Sequence, residues 1–158
     1  MFDVMLKRFE TPDEVRTFDK GKLELVRIGG LTIARATYEP GWKWSEHIGR
    51  PLQQASCEVE HVGIVISGCA TAAMNDGRVF ELRAGDVFHI PGGHDSWVVG
   101  DQPYVSVHLI GATEYAKPAA HGNPSARTVP RGTDRTGSVA GSSGRFSRST
   151  RPEVSAVS

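Results

Sequence analysis

The chain has 158 residues, with 18 Lys or Arg against 18 Asp or Glu, six His and two Cys, which allows one domain of ordinary size plus a tail. Residues 1–117 carry 12 basic against 16 acidic side chains and residues 118–158 carry six Arg against two acids. A mildly acidic body argues against nucleic acid as a partner of the folded part, and the basic tail is left with weak, salt-sensitive contact with polyanions at most. No run of about 18 apolar residues is available to span a bilayer. Met1 to Phe9 lacks the continuous apolar stretch of a secretory signal. Cys57 and Cys69 are too few for a disulfide framework and read as free thiols or a metal ligand. Together these features predict a cytoplasmic protein with no membrane partner.

In chain order, Thr11-Pro12-Asp13-Glu14 has the form of a helix start, with Thr11 as N-cap, Pro12 at the first helical position and Glu14 reaching back. It predicts a short helix ending near Phe18 inside an N-terminal segment, residues 1–21. Lys22 to Ile28 alternates, Gly29-Gly30 supplies a two-residue hairpin turn, and Leu31 to Tyr38 continues in β-branched and apolar residues. Val59 to Ile66 is a strongly apolar strand closed by Gly68. Cys69 to Met74 leads into the turn Asn75-Asp76-Gly77, and Arg78 to Leu82 returns from it. Ala84-Gly85-Asp86 and Pro91-Gly92-Gly93 are further turns bracketing Val87 to Ile90. His94 to Val99, Asp101-Gln102-Pro103 and Tyr104 to Ile110 complete the series. Short strands broken at close spacing by turn residues indicate an all-β barrel or sandwich over residues 22–117. In residues 118–158, 21 of 41 residues are Gly, Pro, Ser or Thr. Such a segment buries too little apolar surface to offset its ordering entropy, which predicts a disordered tail.

Two stretches carry the chemistry. Gly41 is followed after five residues by His47, and His61 after six residues by Gly68. Gly85 is followed after five residues by Pro91-Gly92-Gly93. These frames resemble the paired motifs of the cupin superfamily over roughly residues 22–111. That resemblance implies a jelly-roll (double-stranded β-helix) barrel with metal ligands in its interior, of the small single-domain bacterial type. It also marks three departures. The second His of the first motif falls on Gly49, the usual Glu position holds His61, and the second-motif His falls on Ser96 while a histidine stands two residues earlier at His94. The spacer Arg50 to Glu60 is longer than usual.

Strand side chains alternate between faces, so residues an even number apart share one. His94 and Ser96 therefore point the same way, as do Cys57 and His61 if that stretch is extended. The resulting ligand set is His47, His61 and His94, with Cys57 as a possible fourth. Trp42, Trp44, Trp97 and Ser96 are the expected pocket walls. Plain readings stand beside these: a surface role for His47, a hydrogen-bonded core role for His61, a pocket acid or base for His94, a small buried hydrophobe for Cys57, and ordinary core for the Trp residues. His89 and His108 match no ligand position and read as structural or pocket-lining.

Imidazoles with an open position suit Zn²⁺ or Fe²⁺, with Mn²⁺ or Ni²⁺ as further options, and a thiolate favours softer ions over Mg²⁺ or Ca²⁺. The functional expectation is a metal-binding cupin that acts on or binds a small molecule, by dioxygenase- or isomerase-type chemistry if it is an enzyme. The alternative is a non-catalytic sensory or binding module, favoured by the missing motif Glu and the lack of a recognisable general base. A homodimer is expected, with Lys22 to Tyr38 as the exchange or sheet-extension element.

Overall fold

A computed structural model of the chain describes residues 3–117. The predicted disordered tail, residues 118–158, lies outside the described residues. Nine strands form in order: β1 (Glu14–Phe18), β2 (Gly21–Ile28), β3 (Leu31–Tyr38), β4 (His61–Ser67), β5 (Cys69–Met74), β6 (Val79–Arg83), β7 (Val87–Ile90), β8 (His94–Val99) and β9 (Tyr104–Ile110). They build two antiparallel sheets, one of six strands in the order β1-β2-β3-β9-β4-β7 and one of three in the order β6-β5-β8. Neighbours distant in sequence, such as β3 with β9 and β5 with β8, give the jelly-roll connectivity of a cupin-type double-stranded β-helix.

The turns sit where local chemistry demands them. Gly29 and Gly30, at φ +56° and +82°, close the β2–β3 hairpin with Ile28 opposite Leu31, as a two-residue turn with both central residues at positive φ requires. Inward positions repeat every second residue, as the pleat dictates. Leu23 and Leu25, Ala34 and Ala36, and Tyr104, Ser106 and His108 are all buried on this pattern.

The N-terminal helix is a correction. Val15, Thr17 and Phe18 form part of β1, which pairs with β2 from Glu14 opposite Leu25 to Phe18 opposite Gly21. Glu14 does not cap a helix; its carboxylate receives Arg16 Nε at 2.7 Å and also pairs with Arg27. A free sheet edge at β2 and a β-branched, aromatic sequence outweigh a capping signal worth about one helical turn.

The helical segment of the described residues lies elsewhere: a π-helical turn, Ser45–Gly49, runs into one α turn, α1 (Arg50–Leu52). Its position explains the long spacer. Lys43 bridges Trp97 and Cys57 bridges His94, so the chain touches β8 on either side of the helical turn and leaves the sheet between. A fourth strand of the smaller sheet is thus present only at its two ends. Lys22 to Tyr38 is also corrected as a sheet-extension element. β2 lies between β1 and β3, and β3 between β2 and β9, so neither has a free edge.

At the β4–β5 joint, Gly68 has φ +76°, and a Cβ there would stand 2.3 Å from Pro103 O and 2.8 Å from Tyr104 Cα. Both the backbone conformation and the space exclude a side chain. Gly68→Ala is expected to cost about 3 kcal/mol in urea denaturation, the upper range of overpacking penalties.

Candidate metal centre

Three donors converge at one end of the barrel. His61 opens β4 opposite Ile90, and His94 opens β8. Cys57 is held against His94 by backbone hydrogen bonds, with Cys57 N donating to His94 O at 2.8 Å and Gly93 N donating to Cys57 O at 2.8 Å. Cys57, His61 and His94 are 1%, 4% and 3% exposed, and one ligand atom from each lies within 4.8 Å of the others.

The orientation of each ring follows from its neighbours. His94 Nδ1 is 2.7 Å from Pro91 O; a carbonyl only accepts, so Nδ1 carries the proton and Nε2 keeps a free lone pair. His61 turns Nε2 toward Cys57 Sγ at 3.5 Å. Its Nδ1 packs beside Gly111, where a Cβ would come within 2.7 Å, and has no hydrogen-bond partner. An ion with M–S of about 2.3 Å and M–N of about 2.0–2.1 Å at tetrahedral angles sets an S to N edge of about 3.5 Å. The Cys57–His61 separation meets that edge, and His94 offers a third donor within 4.8 Å of both. The donor set, with His61 offering Nε2 and its unpartnered Nδ1 turned away toward Gly111, therefore fits a metal ion.

Electrostatics point the same way. Burial, helped by His108 and His94, pushes the His61 pKa down to about 2. Burial lowers His94 and takes His108 to about 4. Burial also raises the Cys57 thiol to about 11. The imidazoles are neutral at pH 7, as ligands must be, and a metal would displace the thiol proton.

A cavity of about 40 Å³ adjoins the group, lined by His61, His94, Ser96, Phe88, His108 and Tyr115 among others. It has room for a few water molecules. The segment Gly111 to Lys117 closes over it. Arg16 Nη1 donates to the carbonyls of Ala112, Thr113 and Tyr115 at 3.3, 3.2 and 2.5 Å, and the Tyr115 ring lies 5.0 Å from that of His61.

The structure brings together Cys57, His61 and His94 but not His47. That residue lies in the π-helical turn, with Nδ1 2.9 Å from the Lys43 backbone and Nε2 3.5 Å from Asp19. It lines a surface depression with Thr17, Phe18 and Leu52. The motif frame made it a ligand candidate, but the chain is not in the sheet there. The expected walls divide as well. Trp42, stacked on Tyr38 at 3.9 Å, and Ser96 line the cavity. Trp44 packs under Gly49, and Trp97 lies beneath the Lys43 ammonium at 5.9 Å. His89 is on the outer face, bonded to Glu60 at 2.7 Å. His108 is the interior residue that motif matching passed over. Its ring lies 5.1 Å from that of His61, and its Nε2 is 3.0 Å from Ser106 Oγ. The alternation Tyr104, Ser106, His108 along β9 carried the signal.

No protein-family model and no curated protein matches the chain. Solved structures do. A variant of Bacillus subtilis oxalate decarboxylase aligns at 27% identity over 67% of this chain and 29% of that one, with a TM-score of 0.46. An uncharacterized protein with a double-stranded β-helix domain from Klebsiella pneumoniae aligns at 18% identity over 69% and 85%, also at 0.46. An Acinetobacter protein of unknown function aligns at 16% identity over 63% and 97%, at 0.44. The chain thus spans less than a third of the length of the oxalate decarboxylase. Among the described residues no helix is long and apolar enough to cross a membrane.

The depressed histidines make stability pH-dependent in the metal-free protein. Below the ordinary value of 6.5 the unfolded chain takes up protons that the folded chain refuses. Stability is therefore full above pH 6.5 and falls as pH drops toward the folded values. His61 and His108 together are expected to remove about 3–4 kcal/mol between pH 7 and pH 5 in urea titrations. His108→Gln should remove about half of that slope, and a stability level across this range would contradict neutral buried rings.

Proposed function

We propose that this cupin-type barrel is a metal-dependent protein that holds one divalent ion on Cys57, His61 and His94 and presents it to a small molecule. The observation that carries the reading is the geometry of the donors: a 3.5 Å Cys57–His61 edge, a third donor within 4.8 Å, and a His94 tautomer locked by Pro91. Two imidazoles and one thiolate favour Zn²⁺ or Fe²⁺ over hard cations. When bound, the ion supplies Lewis-acid polarisation, or redox chemistry with dioxygen if it is iron.

The remaining residues have defined tasks. Phe88, Ile90 and Leu82 wall the cavity with hydrocarbon and keep bulk water from the donors. Ser96 and Tyr115 offer hydroxyls to a ligand entering it. His108, tied to Ser106 through Nε2, is the imidazole nearest to His61 that the donor group does not use, and burial keeps it neutral at the cavity wall as a hydrogen-bonding group. With these parts, dioxygenase- or isomerase-type turnover of a small substrate is the enzymatic reading.

A second reading, a binding or sensory module, is favoured by one observation. The residues lining the cavity include no Asp, Glu, Lys or Arg, so strong acid–base groups are missing beside the metal group. Oxygen uptake or isomerisation by the iron-loaded chain supports the enzyme; tight ligand binding by calorimetry with neither supports the module.

The metal itself is tested by dialysis against Zn²⁺ of untagged protein followed by elemental analysis. One ion per chain is expected. Cys57→Ser, His61→Ala and His94→Ala should each weaken binding by more than the ~10–100-fold typical of an outer partner, while His47→Ala leaves it unchanged. Retention of full affinity in His61→Ala, or loss of it in His47→Ala, would remove this donor set.

A further inference from the structure

The cavity beside the donors, at about 40 Å³, admits a few water molecules or the terminal atoms of a ligand. An organic molecule that reaches the metal group must keep its body elsewhere. Two larger clefts adjoin. One, about 390 Å³ between β6 and β7, shares Leu82, Phe88 and Ile90 with the cavity but includes none of the three donors. The other, about 340 Å³, lies between the helical turn and the closing segment. It is lined by Cys57 itself and by Tyr115, which also lines the cavity.

We propose that this second cleft is a binding site for a small molecule with an apolar or aromatic body and an amine head, set beside the metal group and divided from the cavity by Tyr115. The cleft stands on its own geometry; its approach to a metal rests on the reading given above. Its volume is that of small-molecule sites. Ile48, Leu52 and Val59 give it apolar walls and Trp44 an aromatic one. The charged groups facing it are Glu58, Glu114 and Lys117. Lys117 is spent on Glu114 at 2.8 Å. Glu58 receives the Ser56 hydroxyl at 2.6 Å and has no cationic partner among the described residues. The local balance is one negative charge, which attracts an ammonium group and repels a carboxylate. Arg16, whose bonds to Ala112, Thr113 and Tyr115 hold the closing segment, fixes the cleft's far wall.

The test uses two probes of equal shape and opposite charge, 2-phenylethylamine and phenylacetate. Each is titrated into the full-length chain, metal-free and zinc-loaded, with backbone amide shifts followed by NMR. The amine is expected to shift Leu52, Val59 and Tyr115 in both forms and to bind at least about fivefold tighter than the acid. Glu58→Gln should even the two, and Glu58→Lys should reverse the order. Shifts confined to Phe80, Val87 and His89, no saturable shift with either probe, or an order unchanged in Glu58→Lys would overturn the proposal. If the amine binds as expected but zinc does not, the cleft stands and the metal reading falls. If zinc binds stoichiometrically and the amine does not, the cleft alone falls.

Discussion

The site depends on the short bridge between Cys57 and His94. Two backbone hydrogen bonds, Cys57 N to His94 O and Gly93 N to Cys57 O, each 2.8 Å, clamp the return of the helical excursion onto the first residue of β8. Without them the chain returning from the helical turn has no register on the smaller sheet, since the bridge of Lys43 to Trp97 lies on the other side of the excursion. With them, Cys57 lies opposite His94, and the extended chain from Cys57 carries His61 into β4 four residues later. Gly92 belongs to the same arrangement, since a Cβ there would stand 2.5 Å from Glu58 O. The turn between β7 and β8 can approach Glu58 only because it is built from glycine.

Around that bridge the barrel interior is polar but uncharged. Burial drives the histidines toward their neutral form and raises Cys57 and the phenols of Tyr38, Tyr104 and Tyr115. Charge would be costly there without a partner, so the interior keeps its hydrogen-bonding groups neutral. Formal charges are kept to the outside. Glu24, the acid buried on the outer side of β2, is covered by Arg35 at 2.7 Å and Lys22 at 3.0 Å. The Arg35 guanidinium beside it holds its carboxyl below the usual carboxylate range.

The closing segment links this interior to the surface. Gly111, at φ +94°, turns the chain away from β9 directly beside His61 Nδ1, and Arg16 from the far edge of the larger sheet gathers the carbonyls that follow. One residue of β1 thus holds a lid over donors supplied by β4, β8 and the preceding bridge. Tyr115 becomes a shared wall between a small inner cavity and a larger outer cleft.

Much of this was legible in the amino-acid sequence. The turns at Gly29-Gly30, Asn75-Asp76-Gly77, Gly85 and Pro91-Gly92-Gly93 are local matters of positive φ and missing side chains, and a chain carries them wherever it goes. Even spacing put Cys57 with His61, and His94 with Ser96, on common faces because the pleat has a period of two. What tertiary structure alone decided were the questions of whether a segment is in a sheet at all. Glu14 to Phe18 became a strand because β2 offered an edge. His47 left the donor group because residues between Lys43 and Cys57 leave β8, whose residues lie far along the chain, Trp97 opposite Lys43 and His94 opposite Cys57. Alternation along β9 set His108 on one face with Tyr104 and Ser106, and the pairing of β9 with both β3 and β4 made that face the interior. A side chain's direction follows its strand, and a strand exists only through hydrogen bonds to distant segments, which no local pattern contains.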